Sequence, residues 1–143
     1  MRSLKIKRFV KKKKSTRRRK KKSTKIVLTA AKLARWSFKV RRRGFFTCFS
    51  CGKKKNLHAH HMVSKYYKPQ YAYLLTNGVT LCRKCHIGAG GVHCKKDLPK
   101  NKVIFKLREI YLSHDINKAK KIGKNLLDTY SNRRRILAER KSS

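Results

Sequence analysis

The chain has 143 residues, 43 of them Lys or Arg against 5 Asp or Glu, a formal net charge of +38, and 39% hydrophobic residues. That length suits one domain with tails; no apolar run is long enough for a membrane span, and no apolar stretch follows the basic N-terminus as a secretory signal would require. No carboxylate side chain precedes Asp97, so a site built on paired Asp/Glu is excluded from two thirds of the chain, and its chemistry there must rest on His, Cys, Asn or Tyr.

Residues 1–25 are a polybasic arm with Lys11–Lys14 and Arg17–Lys22 as dense blocks. Like charges at this density do not pack, and the arm is expected to be disordered until it meets phosphate. Gripping nucleic-acid backbone and acting as a targeting address are both open to it. Residues 26–44 predict a basic amphipathic helix. Thr29 caps it, Leu33, Trp36 and Val40 form its apolar stripe, and Arg41–Arg43 occupy the last turn. Gly44 is expected in a left-handed position beyond it.

Residues 45–95 carry the unusual chemistry. Cys48-x2-Cys51 and Cys82-x2-Cys85 are two knuckles separated by 30 residues. Each aims two sulfurs at one point, and the four together complete a closed tetrahedral shell for structural zinc. Disulfides are disfavoured by the odd total of five cysteines and the lack of a secretory signal. Cys94 is left over as an ordinary thiol.

Between the knuckles, Leu57 to Met62 alternates as a strand does, so His60 and His61 are expected on opposite faces. His58 is read as a strand residue facing outward. Asn77-Gly78 has the character of a hairpin turn, Val79–Leu81 of a strand, and Cys82–His86 of a helix start. Two strands and a helix stitched by zinc give an α+β unit. In residues 96–143, Asn101 precedes a stripe of Val103, Ile104, Leu107, Ile110 and Tyr111. Asp115 is placed to cap a last helix through Ile122, Leu126 and Tyr130, which Gly123 weakens. The end is basic again from Arg133 onward.

Taken together, Cys48-x2-Cys51, Ala59-His60-His61-Met62 and Asn77-Gly78-Val79-Thr80-Leu81-Cys82-x2-Cys85-His86 resemble the HNH endonucleases in their four-cysteine zinc variant. The wording around Ser64-Lys65-Tyr66 is most similar to small homing-type enzymes of phages and introns. The resemblance implies a ββα-metal fold and a metal-dependent DNA endonuclease, an enzyme that hydrolyses phosphodiester bonds. It implies His61 as general base and Asn77 as the residue bracing the loop. It implies His60 and His86 as ligands of one catalytic divalent cation, usually magnesium.

Two departures matter. Many members have Asp where His60 stands, so a His-rich set here is expected to weaken magnesium binding and admit softer ions such as manganese or nickel. Members often carry a further His one helical turn after the one matching His86, whereas here the next is His93, seven residues on and past a glycine-rich stretch, a weaker candidate ligand. The expected partner is DNA, with RNA open. The reduced cysteines point to an intracellular setting, a phage-infected or bacterial cytoplasm or an organelle. The rival reading is a zinc-containing, nucleic-acid-binding basic protein, RNA- or ribosome-associated, that does not cut. Only His60, His61, Asn77 and His86 separate the two.

Overall fold

A computed structural model describes residues 27–142, so the arm expected at 1–25 lies outside the described residues. The protein is α+β, with a two-stranded antiparallel sheet packed among helices. Helix α1 (Ala30–Arg43) begins where the sequence predicts, with Thr29 Oγ1 accepting from the Lys32 N–H at 3.3 Å. It buries Trp36, Val40 and Arg43 on one face. The end of α1 differs from expectation. Gly44 has φ −79°, and the left-handed residues are Phe45 and Phe46, at φ 51° and 49°. Glycine is needed at 44 for another reason: a Cβ there would come within 2.7 Å of Thr80 Oγ1.

Strand β1 (Leu57–His61) pairs with β2 (Gly78–Cys82), from Leu57 opposite Cys82 to His61 opposite Gly78. Asn77-Gly78 is not a hairpin turn. The strands are joined by a long loop containing the 3₁₀ turns Pro69–Tyr71 and Leu75–Asn77, and Gly78 is extended at φ −110°. A side chain at 78 would run into Trp36 and Val40, which is how α1 lies against the sheet so closely. Arg43 fastens the same corner. Its buried guanidinium donates to the Leu75 carbonyl at 2.6 Å and to the Gly78 carbonyl, and burial lowers its pKa to about 10.

After β2 comes α2 (Arg83–His86), a single turn. Helix α3 (Lys102–Ser113) is capped by Asn101, whose Oδ1 accepts from the Ile104 N–H at 2.9 Å, and it buries Ile104, Leu107 and Ile110. Helix α4 (Ile116–Ser142) starts at Asp115, whose Oδ1 accepts from the N–H groups of Asn117 and Lys118 at 2.9 and 3.0 Å. Gly123, expected only to weaken this helix, has a packing role. A Cβ there would fall on the Thr76 backbone, so its absence lets α4 lie directly on the 75–77 turn. The core joins Met62, Val63, Val79 and Leu81 to Ile104, Leu107, Ile110 and Ala119. Among the described residues no helix is long and apolar enough to cross a membrane.

Candidate functional site

The sulfurs of Cys48, Cys51, Cys82 and Cys85 lie within 4.8 Å of one another, with Cys51 and Cys82 at 3.6 Å. Zinc–thiolate bonds of about 2.3 Å in a tetrahedron put sulfurs about 3.8 Å apart, so the cluster fits structural zinc. Local backbone explains the convergence. The first knuckle closes through Gly52 N–H to the Cys48 carbonyl at 2.9 Å, with Gly52 left-handed at φ 73°. Phe49 N–H then bonds the Thr80 carbonyl at 2.8 Å, which ties this knuckle to the strand leading into the second. Asn101 Nδ2 donates to Ser50 Oγ at 2.9 Å, joining the knuckle to the start of α3. Cys94 stands apart and donates to Asp97 Oδ2 at 3.1 Å.

A second cluster lies beside the first. His60 of β1, His86 of α2 and His93 each offer a ring nitrogen, and these lie within 4.8 Å of one another. Ring centroids are 5.1 Å apart for His60 and His86, 5.0 Å for His60 and His93, and 4.8 Å for His86 and His93. The chain ends its helix at His86 and folds back to bring His93 in. Val92 N–H bonds the Cys85 carbonyl and His93 N–H the His86 carbonyl, both at 3.0 Å. The return needs Gly91, where a Cβ would sit 2.8 Å from the Gly88 carbonyl oxygen. The sequence distance of His93 is thus cancelled by a tight glycine turn.

His60 is 1% exposed, and its Nε2 is buried with no hydrogen-bond partner. A buried nitrogen left unpaired is destabilising, and a cation held with His86 and His93 would satisfy it. Burial, followed by the neighbouring imidazoles, keeps the proton affinities low. His60 is held well below its ordinary value, His86 falls to about 4, and His93 is lowered by burial. Neutral imidazoles are the form that binds metal. His58 corrects the expectation of an outward-facing residue. Its Nδ1 lies 3.1 Å from His86 Nδ1, so one of the two nitrogens carries the shared proton. The strand alternation already put residues 58 and 60 on one face, and that was the available signal. Tyr111, which the sequence places in the apolar stripe of α3, closes the cluster, 5.6 Å from the His60 ring and 4.5 Å from the His93 ring.

His61 points to the other face of β1 and stacks on Trp36 at 3.7 Å and 10°. Its Nε2 is 2.8 Å from the Ala72 carbonyl. A carbonyl only accepts, so Nε2 carries the proton and Nδ1 keeps its lone pair. Burial lowers the His61 pKa to about 4, opposed by the Ala72 bond and reinforced by the Lys65 charge. Asn77 is fully buried. Its Oδ1 accepts from Val63 N–H at 2.7 Å, and its Nδ2 donates to the carbonyls of Val63 and Tyr71 at 3.0 and 3.2 Å. It thereby clamps both ends of the loop, immediately before the Ala72 carbonyl that fixes His61.

Residues 48–90 match the family model described as HNH endonuclease. No curated protein and no solved structure gives a significant match. The matched segment is similar to the HNH endonuclease domain, a family whose members are in general nucleases. It contains both cysteine pairs, His60, His61, Asn77 and His86, and it stops before His93.

Proposed function

We propose that the protein is a metal-dependent DNA endonuclease of HNH type. The observation that carries this reading is the orphaned, buried Nε2 of His60 beside His86 and His93, one residue from an imidazole whose ring is fixed by the Ala72 carbonyl. His60, His86 and His93 would hold one divalent cation, which supplies charge stabilisation at the scissile phosphate and its leaving oxygen. An all-imidazole set suits manganese, nickel or another first-row transition ion better than magnesium, which prefers oxygen donors. His61 Nδ1 accepts a proton from the attacking water. Its low pKa makes it a weaker base, yet one that stays deprotonated throughout the neutral range. Trp36 keeps the ring in its plane by stacking. Asn77 acts through the Tyr71–Ala72 backbone and so positions His61 without touching substrate. Hydrolysis would leave 5′-phosphate and 3′-hydroxyl ends. The high positive charge supports a polyanionic substrate, since Lys/Arg contacts to phosphate release counterions.

Nicking of supercoiled plasmid tests the reading. Manganese or nickel should support cutting better than magnesium, and EDTA should abolish it. His61→Ala should lower the rate at least about 100-fold with DNA affinity unchanged. Equal cutting by the variant and the unaltered protein would refute the mechanism and leave a cationic binder that does not cut.

A further inference from the structure

The loop that leaves β1 presents a feature the hydrolytic residues do not explain. Ser64 to Lys68 forms a turn closed by Lys68 N–H to the Ser64 carbonyl at 2.9 Å, with Tyr66 N–H on Ser64 Oγ at 3.3 Å. Both flanks are fixed. On one side Asn77 holds Val63 through two side-chain bonds. On the other, Tyr67 stacks on His114 at 3.9 Å and Lys68 Nζ donates to the His114 carbonyl at 3.1 Å. At the tip of this anchored turn Tyr66 is 81% exposed, and its ring lies against the Lys65 ammonium, 5.1 Å from the centroid.

Lys65 is half-buried and makes no ion pair among the described residues, which include all five Asp and Glu side chains. It stands four residues beyond His61, on the loop that leaves the end of β1. A turn anchored on both flanks, on the loop that follows the proposed base, therefore holds an unneutralised cation and an exposed aromatic side chain.

We infer that the Lys65–Tyr66 turn is a substrate-contacting element, with Lys65 taking a backbone phosphate and Tyr66 stacking on a nucleobase displaced from the duplex stack. This rests on the reading of nucleic acid as the substrate at His61. The two contacts assist each other: a phosphate drawing the ammonium toward itself uncovers the Tyr66 ring face. Aromatic stacking accepts any base, because every base has a π-face, and it favours places where unstacking is easy.

The test uses the full zinc-loaded chain with no catalytic ion added, so that binding is read without cutting. Affinities are measured for a fully paired DNA duplex and for the same duplex with one central mismatch. The unaltered protein should prefer the mismatched duplex by about tenfold, within the range of one base–aromatic stack. Tyr66→Phe should keep that preference, and Tyr66→Ala should lose it. Lys65→Ala should weaken binding to both duplexes alike and reduce the slope of log affinity against log salt by about one ion. Unchanged mismatch preference in Tyr66→Ala, or none in the unaltered protein, would overturn the inference. His61→Ala should retain the preference, so loss of the hydrolytic reading and loss of this one are separately visible.

Discussion

The cysteine cluster and the histidine cluster share one turn of helix, with Cys85 serving the first and His86 the second. Their chemistry is opposite. Four thiolates fill a tetrahedral shell and over-neutralise a dication, leaving no position for water. Three neutral imidazoles bring no charge and too few donors to close a shell, so a cation there would remain a strong Lewis acid with room for phosphate oxygen. The difference teaches that the first cluster sets geometry while the second, under the function proposed above, would supply reactivity, and that the second is positioned by the first through α2.

That dependence is the first thing to break. Cys85→Ser should forfeit structural-zinc binding, on the order of 10 kcal/mol. Cooperative unfolding should vanish and the histidine site should go with it. His86→Asn should leave the zinc and the fold in place while abolishing the second ion. Metal content and thermal unfolding of the two variants check this, and retention of the histidine-bound ion in Cys85→Ser would sever the link between the clusters.

A smaller effect is expected at Gly123. Helix propensity alone favours Ala by about 1 kcal/mol. The Cβ would nevertheless meet the Thr76 backbone and push α4 off the turn that carries Asn77. Gly123→Ala should therefore lower Tm by several degrees, and a rise in Tm would show that the contact relaxes readily.

His58 sharpens the contrast further. Hydrogen-bonded to His86 through the facing Nδ1 atoms, it fixes the orientation of His86, and such outer partners typically change metal affinity 10–100-fold. His58→Ala should weaken the histidine-bound ion about tenfold and leave the cysteine site untouched, as measured by competition with a chelating dye.

The gentlest perturbation is pH. His61 has a folded pKa of about 4, set first by burial, below the unfolded value of about 6.5. The unfolded state binds more protons between those values, so stability falls as pH drops from about 6.5 toward 4 and gains nothing above it. His61→Gln should flatten the fall of Tm across that window, and an unchanged profile would show that the ring is not desolvated.

Much of this was legible in the chain because local spacing fixes it. The CxxC pairs converge since each knuckle is a tight local turn, and the alternation of β1 separates His60 from His61. Thr29, Asn101 and Asp115 cap helices because a short polar side chain reaches N–H groups two or three residues on. What local spacing does not encode is long-range close approach. Gly44, Gly78 and Gly123 read as turn or weakening residues, yet each is small because Thr80, Trp36 and Val40, or Thr76 lies against it. Helical periodicity makes His93 only a weak candidate ligand, while a glycine return governs its place. The depressed pKa of His61 arises first from burial, which residues distant in sequence such as Trp36 provide, with the Lys65 charge adding to it.

The most direct test of the account is chemical rescue of His61→Ala under single turnover, with manganese loaded and DNA saturating. Added free imidazole should restore a substantial part of a cleavage rate that has dropped about 100-fold, while manganese affinity stays equal to that of the unaltered protein. A variant that cuts DNA undiminished without imidazole would contradict the assignment of His61 as the base.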